Sequence, residues 1–267
     1  MTCMISMVNQ KGGVGKTTTT ISLGAYLAEL GQRVLLVDLD PQSNATACLG
    51  VDHRSLARGT YEALLGNEST SAVILRNQRL NLSLLPATAS LAGAQVELID
   101  MADREELLKQ ALQPVQDRYD YILIDCPPSL GVLTVNGLVA ATHGVLIPVQ
   151  CEYLALEGLS QLMNTLHRVR RGLFPGLSIR GLLMTMYDAR TNLSQDVVEE
   201  VQRHFPGQVF DTVIPRSVRL AEAPSHGLPI SVYAPRSTGA LAYKELALEI
   251  LKADGIPITE AAQEGEA

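Results

Sequence analysis

The sequence lacks the features that mark several classes of protein. It contains no tryptophan, and its four cysteines form no CxxC pair and show no spacing typical of a metal site; they are Cys3, Cys48, Cys126 and Cys151. We therefore expect reduced thiols, as in a cytosolic protein. No apolar run approaches the roughly 18 residues of a membrane span, and the apolar N-terminus has no basic flank of the kind that begins a signal peptide. These absences argue against a disulfide-stabilised secreted domain and against a membrane-spanning protein.

Positive charge is scarce over the whole chain but concentrated in one segment. The formal net charge is −7, which at first argues against a nucleic-acid partner. Between Arg168 and Arg219, however, eight arginines stand against five acidic residues, so this segment carries a net charge of +3. An acidic protein can therefore present a basic face, and an ordinary solvated surface is the alternative.

Short apolar runs alternate with longer helical patterns, which predicts βαβ units and a parallel sheet. The predicted strands are 4–8, 34–38, 82–86, 121–125, 144–149, 179–186 and a strand around Val213. The predicted helices are 16–30, 104–112, 132–141, 157–170, 195–205 and 240–253. Because the strands are apolar almost throughout, we expect burial on both faces. The predicted fold class is α/β, with a mostly parallel twisted sheet and helices on both faces. We predict a single domain over residues 1–254 and an acidic tail over 255–267, and no role for residues 52–80.

The stretch "VNQKGGVGKTT" follows an apolar strand and opens a helix, which is the context of a phosphate-binding loop. Its glycines allow backbone conformations that turn successive N–H groups towards phosphate oxygens, and the helix N-terminus adds a partial positive charge. Lys16 is predicted to reach the β- and γ-phosphates, and Thr17 to bind Mg²⁺. The dinucleotide-binding fingerprint does not fit, because its third glycine would fall at Thr18. The predicted loop residues are Lys11, Gly12, Gly13, Val14, Gly15, Lys16, Thr17 and Thr18.

The loop departs from the usual G-x-x-x-x-G-K-T pattern at its start. Gln10 occupies the position of the first glycine, and Lys11 follows it. Since Lys16 already neutralises phosphate charge from within the loop, Lys11 on the outer shoulder is well placed to meet a phosphate bound by another molecule. The alternative is a solvent-facing lysine with no role.

Aspartates follow two of the apolar strands. Asp38 and Asp40 lie at the end of the second strand in "VLLVDLDPQSNA", and Asp125 ends "YDYILID". The carboxyl ends of parallel strands face the ligand crevice, so we predict that Asp38 and Asp125 hold Mg²⁺ together with Thr17. Asp40, on the loop, is the candidate for orienting the attacking water. The alternative is that strand-end aspartates cap the next helix. No N-K-x-D motif for reading guanine is present.

At these residues the sequence resembles the deviant Walker A ATPases of the P-loop NTPase class. Their K-G-G-x-x-K-[ST] pattern matches Lys11 to Thr17, and their D-x-D-P-Q and D-x-P-P motifs match residues 38–42 and 125–128. The resemblance implies ATP as the nucleotide, Mg²⁺ as the metal, and a catalytic set of Lys11, Lys16 and Asp40. It also implies an ATP-dependent homodimer in which Lys11 contacts the nucleotide of the partner. The base is expected to lie near Met186, Pro215 and Arg216.

The C-terminal third resembles the ParA/Soj branch, the chromosome- and plasmid-partition ATPases. The segments that carry this resemblance are "TMYDARTNLSQDVVEEV" and "TVIPRSVRLAEAPSHGLPISVYAPRSTGALAY". It implies that Arg190 and Arg219 contact double-stranded DNA without sequence preference. It further implies a ParB-like partner that stimulates slow hydrolysis, and a cytoplasmic, nucleoid-associated protein. The residues alone leave an alternative, since Arg190 can pair with Asp188 and Arg219 with Glu222. Because the phosphate loop begins at residue 11, no additional DNA-binding domain is expected before it.

Other functions compete with partition. Positioning of another cargo, such as a protein compartment, would use the same core. A MinD-like division-site regulator needs a basic amphipathic C-terminal helix, whereas this chain ends in the acidic "LKADGIPITEAAQEGEA", so no membrane partner is expected. An iron–sulfur reductase needs paired cysteines, which are absent, and an ATP-dependent synthetase needs a substrate pocket that the sequence neither shows nor excludes. We interpret Cys126 and His226 as structural residues.

Overall fold

A computed structural model describes residues 1–257, so residues 258–267 of the predicted acidic tail lie outside the described residues. One seven-stranded sheet organises the described chain, in the order β3-β4-β2-β5-β1-β6-β7. All neighbouring strands are parallel except the β3–β4 pair, which is antiparallel. The strands are β1 (Cys3–Met7), β2 (Val34–Asp38), β3 (Leu75–Asn77), β4 (Leu82–Leu85), β5 (Tyr121–Asp125), β6 (Val145–Gln150) and β7 (Ile179–Thr185).

Helices connect the strands and cover the sheet. The first six are α1 (Lys16–Glu29), α2 (Asn44–Cys48), α3 (Thr60–Leu64), α4 (Thr70–Val73), α5 (Leu91–Glu97) and α6 (Leu107–Leu112). The remaining six are α7 (Val132–Ala140), α8 (Ala155–Gly172), α9 (Asn192–His204), α10 (Val218–Glu222), α11 (Ile230–Tyr233) and α12 (Thr238–Ala253). Short 3₁₀ turns occupy Leu98–Asp100, Gln116–Arg118 and Ala223–His226.

Successive residues of the central strands pack into two different hydrophobic cores. On β1, Met4 belongs to the core beneath α3 to α9, whereas Ile5 and Met7 belong to the core beneath α1, α2 and α12. Neighbouring residues of β2 divide in the same way. This alternation follows from the period of two along a strand, and it buries both faces of the sheet. The predicted fold class, a mostly parallel α/β sheet with helices on both faces, is confirmed.

Most predicted elements agree with the structure to within three residues at each end. The strand predicted around Val213 is wrong. The chain there follows β7 only through isolated bridges at Val209 and Pro215. Between these bridges, the N–H groups of Asp211 and Thr212 donate to the Glu249 carboxylate at 2.8 and 3.0 Å. These N–H groups are therefore not available for a continuous hydrogen-bond ladder with β7.

A polar cluster fastens the end of α12 to the amino-terminal edge of the sheet. Asp254, the C-cap of α12, accepts hydrogen bonds from Arg180 Nη2 at 2.5 Å and from the Tyr121 hydroxyl at 2.7 Å. Arg180 lies near the start of β7, and Tyr121 begins β5. The phosphate loop and the strand-end aspartates lie at the opposite, carboxyl-terminal edge. Among the described residues, no helix combines the length and the apolar character needed to cross a membrane.

Candidate nucleotide-binding site

The phosphate-loop sequence leads from β1 into α1 at the carboxyl-terminal edge of the sheet. Gly13 and Gly15 have φ values of +78° and +96°, a left-handed conformation that favours glycine. Gly15 is the N-cap of α1 and brings no side-chain cap, and the first turn of α1 contains no acidic residue. The first N–H groups of this 14-residue helix therefore remain available to an anion. Thr185, at the end of β7, donates its hydroxyl to the Val14 carbonyl at 2.9 Å and fixes the loop against the sheet.

Lys16 extends under the loop and is buried, with 7% of the residue exposed. Its Nζ donates to the Lys11 carbonyl at 3.1 Å, which closes the loop around the ammonium group. Burial lowers the pKa of Lys16, and the nearby charge of Asp125 opposes that shift. An ammonium group that has lost most of its water in this way binds a phosphate strongly, because the surrounding protein screens the attraction less than water does.

Thr17 and Asp125, both predicted to bind Mg²⁺, are in direct contact. The Thr17 hydroxyl donates to Asp125 Oδ2 at 2.7 Å, and the Thr20 hydroxyl lies 3.2 Å from Oδ1. Asp125 is fully buried, and burial, followed by the charge of Asp38, raises its pKa to about 8. A cation at this point would offset the cost of the charged carboxylate.

The donor set at this point consists of oxygen atoms, as Mg²⁺ prefers. Within residues 1–257, no cluster of three histidine, cysteine or acidic side chains is arranged to hold a metal by itself. The residues therefore fit a Mg²⁺ ion, which Thr17 and Asp125 would hold together with phosphate and water oxygens.

Asp38 holds the loop that follows β2. Its Oδ2 accepts hydrogen bonds from the Thr46 N–H at 2.8 Å and the Thr46 hydroxyl at 2.7 Å, and its Oδ1 accepts from the Asp40 N–H at 3.2 Å. Burial raises the pKa of Asp38 to about 6 although these bonds oppose the shift. The contact with Thr46, in the first turn of α2, matches the capping alternative, and a role of Asp38 at the metal stays a prediction. Asp40 is buried with its Oδ1 accepting from the Gln42 N–H at 3.0 Å.

Ser43 is a feature of this loop that the sequence analysis missed. It is fully buried and adopts a left-handed conformation, with φ +55° and ψ +32°. Its hydroxyl has no hydrogen-bond partner in the described part of the chain. Backbone strain of this kind in a non-glycine residue is concentrated at functional sites.

A cavity of about 270 Å³ opens beside the phosphate loop. It contains the predicted base contacts Met186, Pro215 and Arg216, together with Thr18. Gly15 of the predicted loop also lines it, and sequence reasoning missed the other lining residues, which are Thr185, Ile214, Ser217, Leu220, Ala221 and Tyr243. Tyr243 comes from α12, and its hydroxyl is 3.0 Å from that of Thr19. A larger cavity of about 500 Å³ lies among α3, α4 and α6, away from the phosphate loop. The smaller cavity adjoins the loop, and binding of the base there stays a prediction.

Lys11 is separate from the buried groups of the site. Its side chain is half exposed and forms an ion pair with Glu152, which follows β6. Its N–H donates to Asn9 Oδ1 at 3.0 Å. Gly12 and Gly13 beside it are exposed as well. The ammonium group therefore lies on the outer rim of the loop, and its contact with the nucleotide of a partner stays a prediction. The pairing with Glu152 had no signal in the sequence.

Both predicted DNA-contacting arginines are exposed and paired. Arg190 donates to the two oxygens of Asp188 at 2.8 and 2.7 Å, and these bonds lower the pKa of that carboxyl. Arg219 donates to Glu222 at 3.0 Å. The salt-bridge alternative is therefore present in this structure, and DNA contact by either arginine stays a prediction.

The two residues interpreted as structural differ in burial, since His226 is exposed and Cys126 is buried. The His226 ring stacks on that of Tyr233, with centroids 4.7 Å apart. All four cysteines are free, and Cys126 is buried within the core, where burial raises the pKa of its thiol.

Comparison with known proteins places this geometry in a family. A family model described as an AAA domain matches residues 2–179. The sporulation initiation inhibitor protein Soj of Bacillus subtilis is 54% identical over 247 residues, which cover 92% of this chain and 97% of Soj. The chromosome-partitioning ATPase Soj of Treponema pallidum is 55% identical over 250 residues, which cover 93% of this chain and 96% of that protein.

A solved structure agrees over nearly the whole chain. Cobyrinic acid a,c-diamide synthase from Mycobacterium smegmatis, with bound ADP and magnesium, superposes with a TM-score of 0.85 and is 43% identical, with 96% of each chain covered. The deviant Walker A pattern, the site geometry and these relatives agree. The chain belongs to the AAA domain family and, within it, to the Soj group of chromosome-partitioning ATPases that its ParA/Soj resemblance predicted.

Proposed function

We propose that this protein binds ATP with Mg²⁺, hydrolyses it slowly to ADP and phosphate, and uses the cycle to partition DNA. The observation that carries the proposal is the contact of 2.7 Å between Thr17 and the buried Asp125, directly beside the buried Lys16. The bound ADP and magnesium of the Mycobacterium smegmatis structure support the same ligand pair here.

The residues divide the chemistry among them. Lys16 holds the β- and γ-phosphates, and the N–H groups at the start of α1 add hydrogen bonds. Bound Mg²⁺ supplies positive charge that stabilises the charge developing on the transferred phosphoryl group. Thr17 and Asp125 hold that ion, and Asp38 keeps the loop after β2 in place. Asp40 accepts a hydrogen bond from the attacking water and orients it towards the γ-phosphate.

Lys11 makes the active unit a dimer. Its side chain is half exposed, so breaking its ion pair with Glu152 costs less than about 1 kcal/mol. A triphosphate on a second subunit offers more negative charge than one carboxylate does. Lys11 therefore exchanges Glu152 for the phosphates of the partner when both subunits carry ATP, and it joins Lys16 in catalysis.

DNA binding follows from dimerisation. Arg190 and Arg219 are exposed, and a DNA phosphate can replace the carboxylate that each now contacts. A dimer doubles the phosphate contacts, which adds their free energies and steepens the salt dependence by about 0.9 per phosphate. The expected affinity is nonspecific, with Kd on the order of 10⁻⁴–10⁻⁶ M for weak sites. A ParB-like partner stimulates hydrolysis and releases the protein from the nucleoid.

Two measurements test this function. A mobility-shift assay with duplex DNA is expected to show retardation with ATP and none with ADP or without nucleotide. The Lys11→Ala variant is expected to bind nucleotide as a monomer, and to neither dimerise nor retard DNA with ATP. A wild-type protein that retards DNA equally in all three conditions, or a Lys11→Ala variant that dimerises normally, would contradict the proposal.

A second candidate is an ATP-dependent synthase. It is favoured by the name of the Mycobacterium smegmatis protein, which is 43% identical. A synthase would show no ATP-dependent retardation of DNA, so the mobility shift separates the two candidates. Positioning of another cargo, such as a protein compartment, would give the same shift and would differ in the partner protein.

A further inference from the structure

The loop of the strand-end aspartates and the segment that carries Arg219 meet at two glycines. A Cβ atom built on Gly50 would lie 3.2 Å from the carbonyl oxygen of Gly227, and one built on Gly227 would lie 2.6 Å from Cα of Gly50. Both residues have positive φ values, +76° and +63°. The two backbones therefore touch directly, with no room for a side chain between them.

Hydrogen bonds connect one side of this contact to the site. Asp38 Oδ2 binds the N–H and the hydroxyl of Thr46 at 2.8 and 2.7 Å, so the carboxylate holds the first turn of α2. The Gly50 N–H donates to the Ala47 carbonyl at 2.9 Å, which ties Gly50 to the same short helix. A displacement of the Asp38–Asp40 loop therefore carries Gly50 with it.

The other side of the contact carries Arg219. Gly227 ends the 3₁₀ turn Ala223–His226, which directly continues α10. Glu222, the last residue of α10, accepts from Arg219 at 3.0 Å and from the Tyr233 hydroxyl at 3.0 Å. The His226 ring stacks on Tyr233. These contacts join Arg219 and Gly227 in one packed unit.

The two sides also pack against α1 with almost no free space. Cys48 of α2, Thr18 of α1 and Leu220 of α10 border a cavity of only about 20 Å³. In so dense a contact, small shifts are transmitted to the neighbour rather than absorbed by voids.

We infer that Gly50 and Gly227 are positioning residues that couple the Asp38–Asp40 loop to Arg219. The arrangement of the loop around the end of the nucleotide sets the position of α10, and with it the DNA affinity of Arg219. This inference rests on the proposed function, because it explains how the nucleotide state of one subunit reaches its DNA-binding surface.

The test compares two alanine substitutions at glycines with nearly equal backbone strain. Gly50→Ala places a methyl group against the Gly227 carbonyl, at a distance that demands a shift of a few tenths of an ångström. Gly66→Ala is the matched control, because Gly66 has φ +70° and a Cβ there would meet no described atom within 4 Å. For each variant, the DNA affinity is measured with ATP and with ADP by anisotropy of a labelled duplex, beside the nucleotide affinity.

The expected result is a change in coupling without a change in nucleotide binding. Gly66→Ala should keep the wild-type ratio of ATP-state to ADP-state DNA affinity. Gly50→Ala should lower that ratio by about fivefold or more, the usual size of an allosteric coupling, at an unchanged nucleotide Kd. Gly227→Ala should lower it further, because its Cβ atom would lie 2.6 Å from Cα of Gly50, closer than the 3.2 Å contact made by Gly50→Ala.

A Gly50→Ala variant with the wild-type ratio overturns the inference. A wild-type protein whose DNA affinity ignores the nucleotide overturns the proposed function instead, so the two failures are distinguishable. If Gly50→Ala does not fold, Tyr233→Phe serves in its place, since it adds no atom and removes the hydrogen bond to Glu222. It is expected to lower the ratio, and an unchanged ratio again overturns the inference.

Discussion

Replacing Ser43 by glycine should stabilise the protein, although the residue lies in the middle of the site. Two features of Ser43 destabilise the folded state. Its φ of +55° is unfavourable for a residue with a Cβ atom, and its fully buried hydroxyl makes no hydrogen bond within residues 1–257. Glycine removes both the Cβ atom and the hydroxyl.

The magnitude follows from these two terms and one that opposes them. Left-handed backbone costs about 1–2 kcal/mol for an L-residue. An unsatisfied buried hydroxyl costs about 1–3 kcal/mol. Glycine loses about 0.5–1 kcal/mol more backbone entropy on folding than a residue with a side chain. We therefore expect Ser43→Gly to raise the free energy of unfolding by about 1–4 kcal/mol, with Tm rising by about 2–4 °C per kcal/mol.

Urea unfolding of the nucleotide-free protein measures this change, and an unchanged m-value would show that the unfolded state is not the cause. Ser43→Ala removes the hydroxyl and keeps the Cβ atom, so it should recover only part of the gain. Asn81→Gly is the control for backbone alone, because Asn81 has φ +49° and is exposed, and asparagine tolerates this conformation. A Ser43→Gly variant that folds with equal or lower stability would refute the reasoning.

Three further predictions concern charged groups. Because burial raises the pKa of Asp125 to about 8, the nucleotide-free protein should lose stability as the pH rises from about 4 to about 8, where the unfolded chain releases the proton and the folded chain retains it. The free energy of unfolding of Asp125→Asn, measured in urea, should therefore rise relative to that of the wild type by up to about 1.4 kcal/mol for each pH unit in this range. Parallel pH profiles of the two proteins would contradict this prediction. Glu152→Gln frees Lys11, so sedimentation should show stronger dimerisation with ATP and no change without nucleotide; a weaker dimer would count against the exchange of partners. Asp254→Ala leaves the mostly buried Arg180 without its partner and should lower the unfolding free energy by about 3 kcal/mol, and a loss below about 1 kcal/mol would show that the cluster does not fasten α12.

The sequence predicted those parts of the fold that are determined by residues close together in the chain. The strands β1, β2 and β5 are apolar runs, and the glycines of the phosphate loop stand between β1 and the start of α1 at Lys16. The rule that carboxyl ends of parallel strands share one edge placed Asp125 near the loop after β1, and the structure brings it into contact with Thr17, 108 positions away.

Other features depend on tertiary contacts that leave no periodic pattern. The helices α2, α3, α4, α10 and α11 have five residues or fewer, too short to show a helical repeat. The edge strand β3 has three residues, half-buried or exposed, so it lacks the apolar run that marked the others. The predicted strand at Val213 failed because Glu249, from a helix far along the chain, captures two of the N–H groups that a ladder would need.

In the site, too, residues within motifs were predicted and residues brought in by tertiary contacts were not. Lys16 and the aspartates stand in motifs, whereas Glu152, which follows β6, and Tyr243 of α12 reach the site without any motif of their own. Salt bridges at Arg190 and Arg219 were foreseen as alternatives because their acids lie two and three positions away. Whether a phosphate replaces those acids depends on a second molecule, and no pattern within one chain specifies it.

The division of β1 between two cores gives the protein a pair of natural reporters. Met4 and Met7 stand three positions apart on one strand, yet their methyl groups enter opposite layers. Isotope labelling of methionine methyls would therefore give an NMR spectrum in which one resonance senses the layer that holds the phosphate-loop helix and the other senses the remote layer. Titrating nucleotide against such a sample would show directly whether the disturbance crosses the sheet.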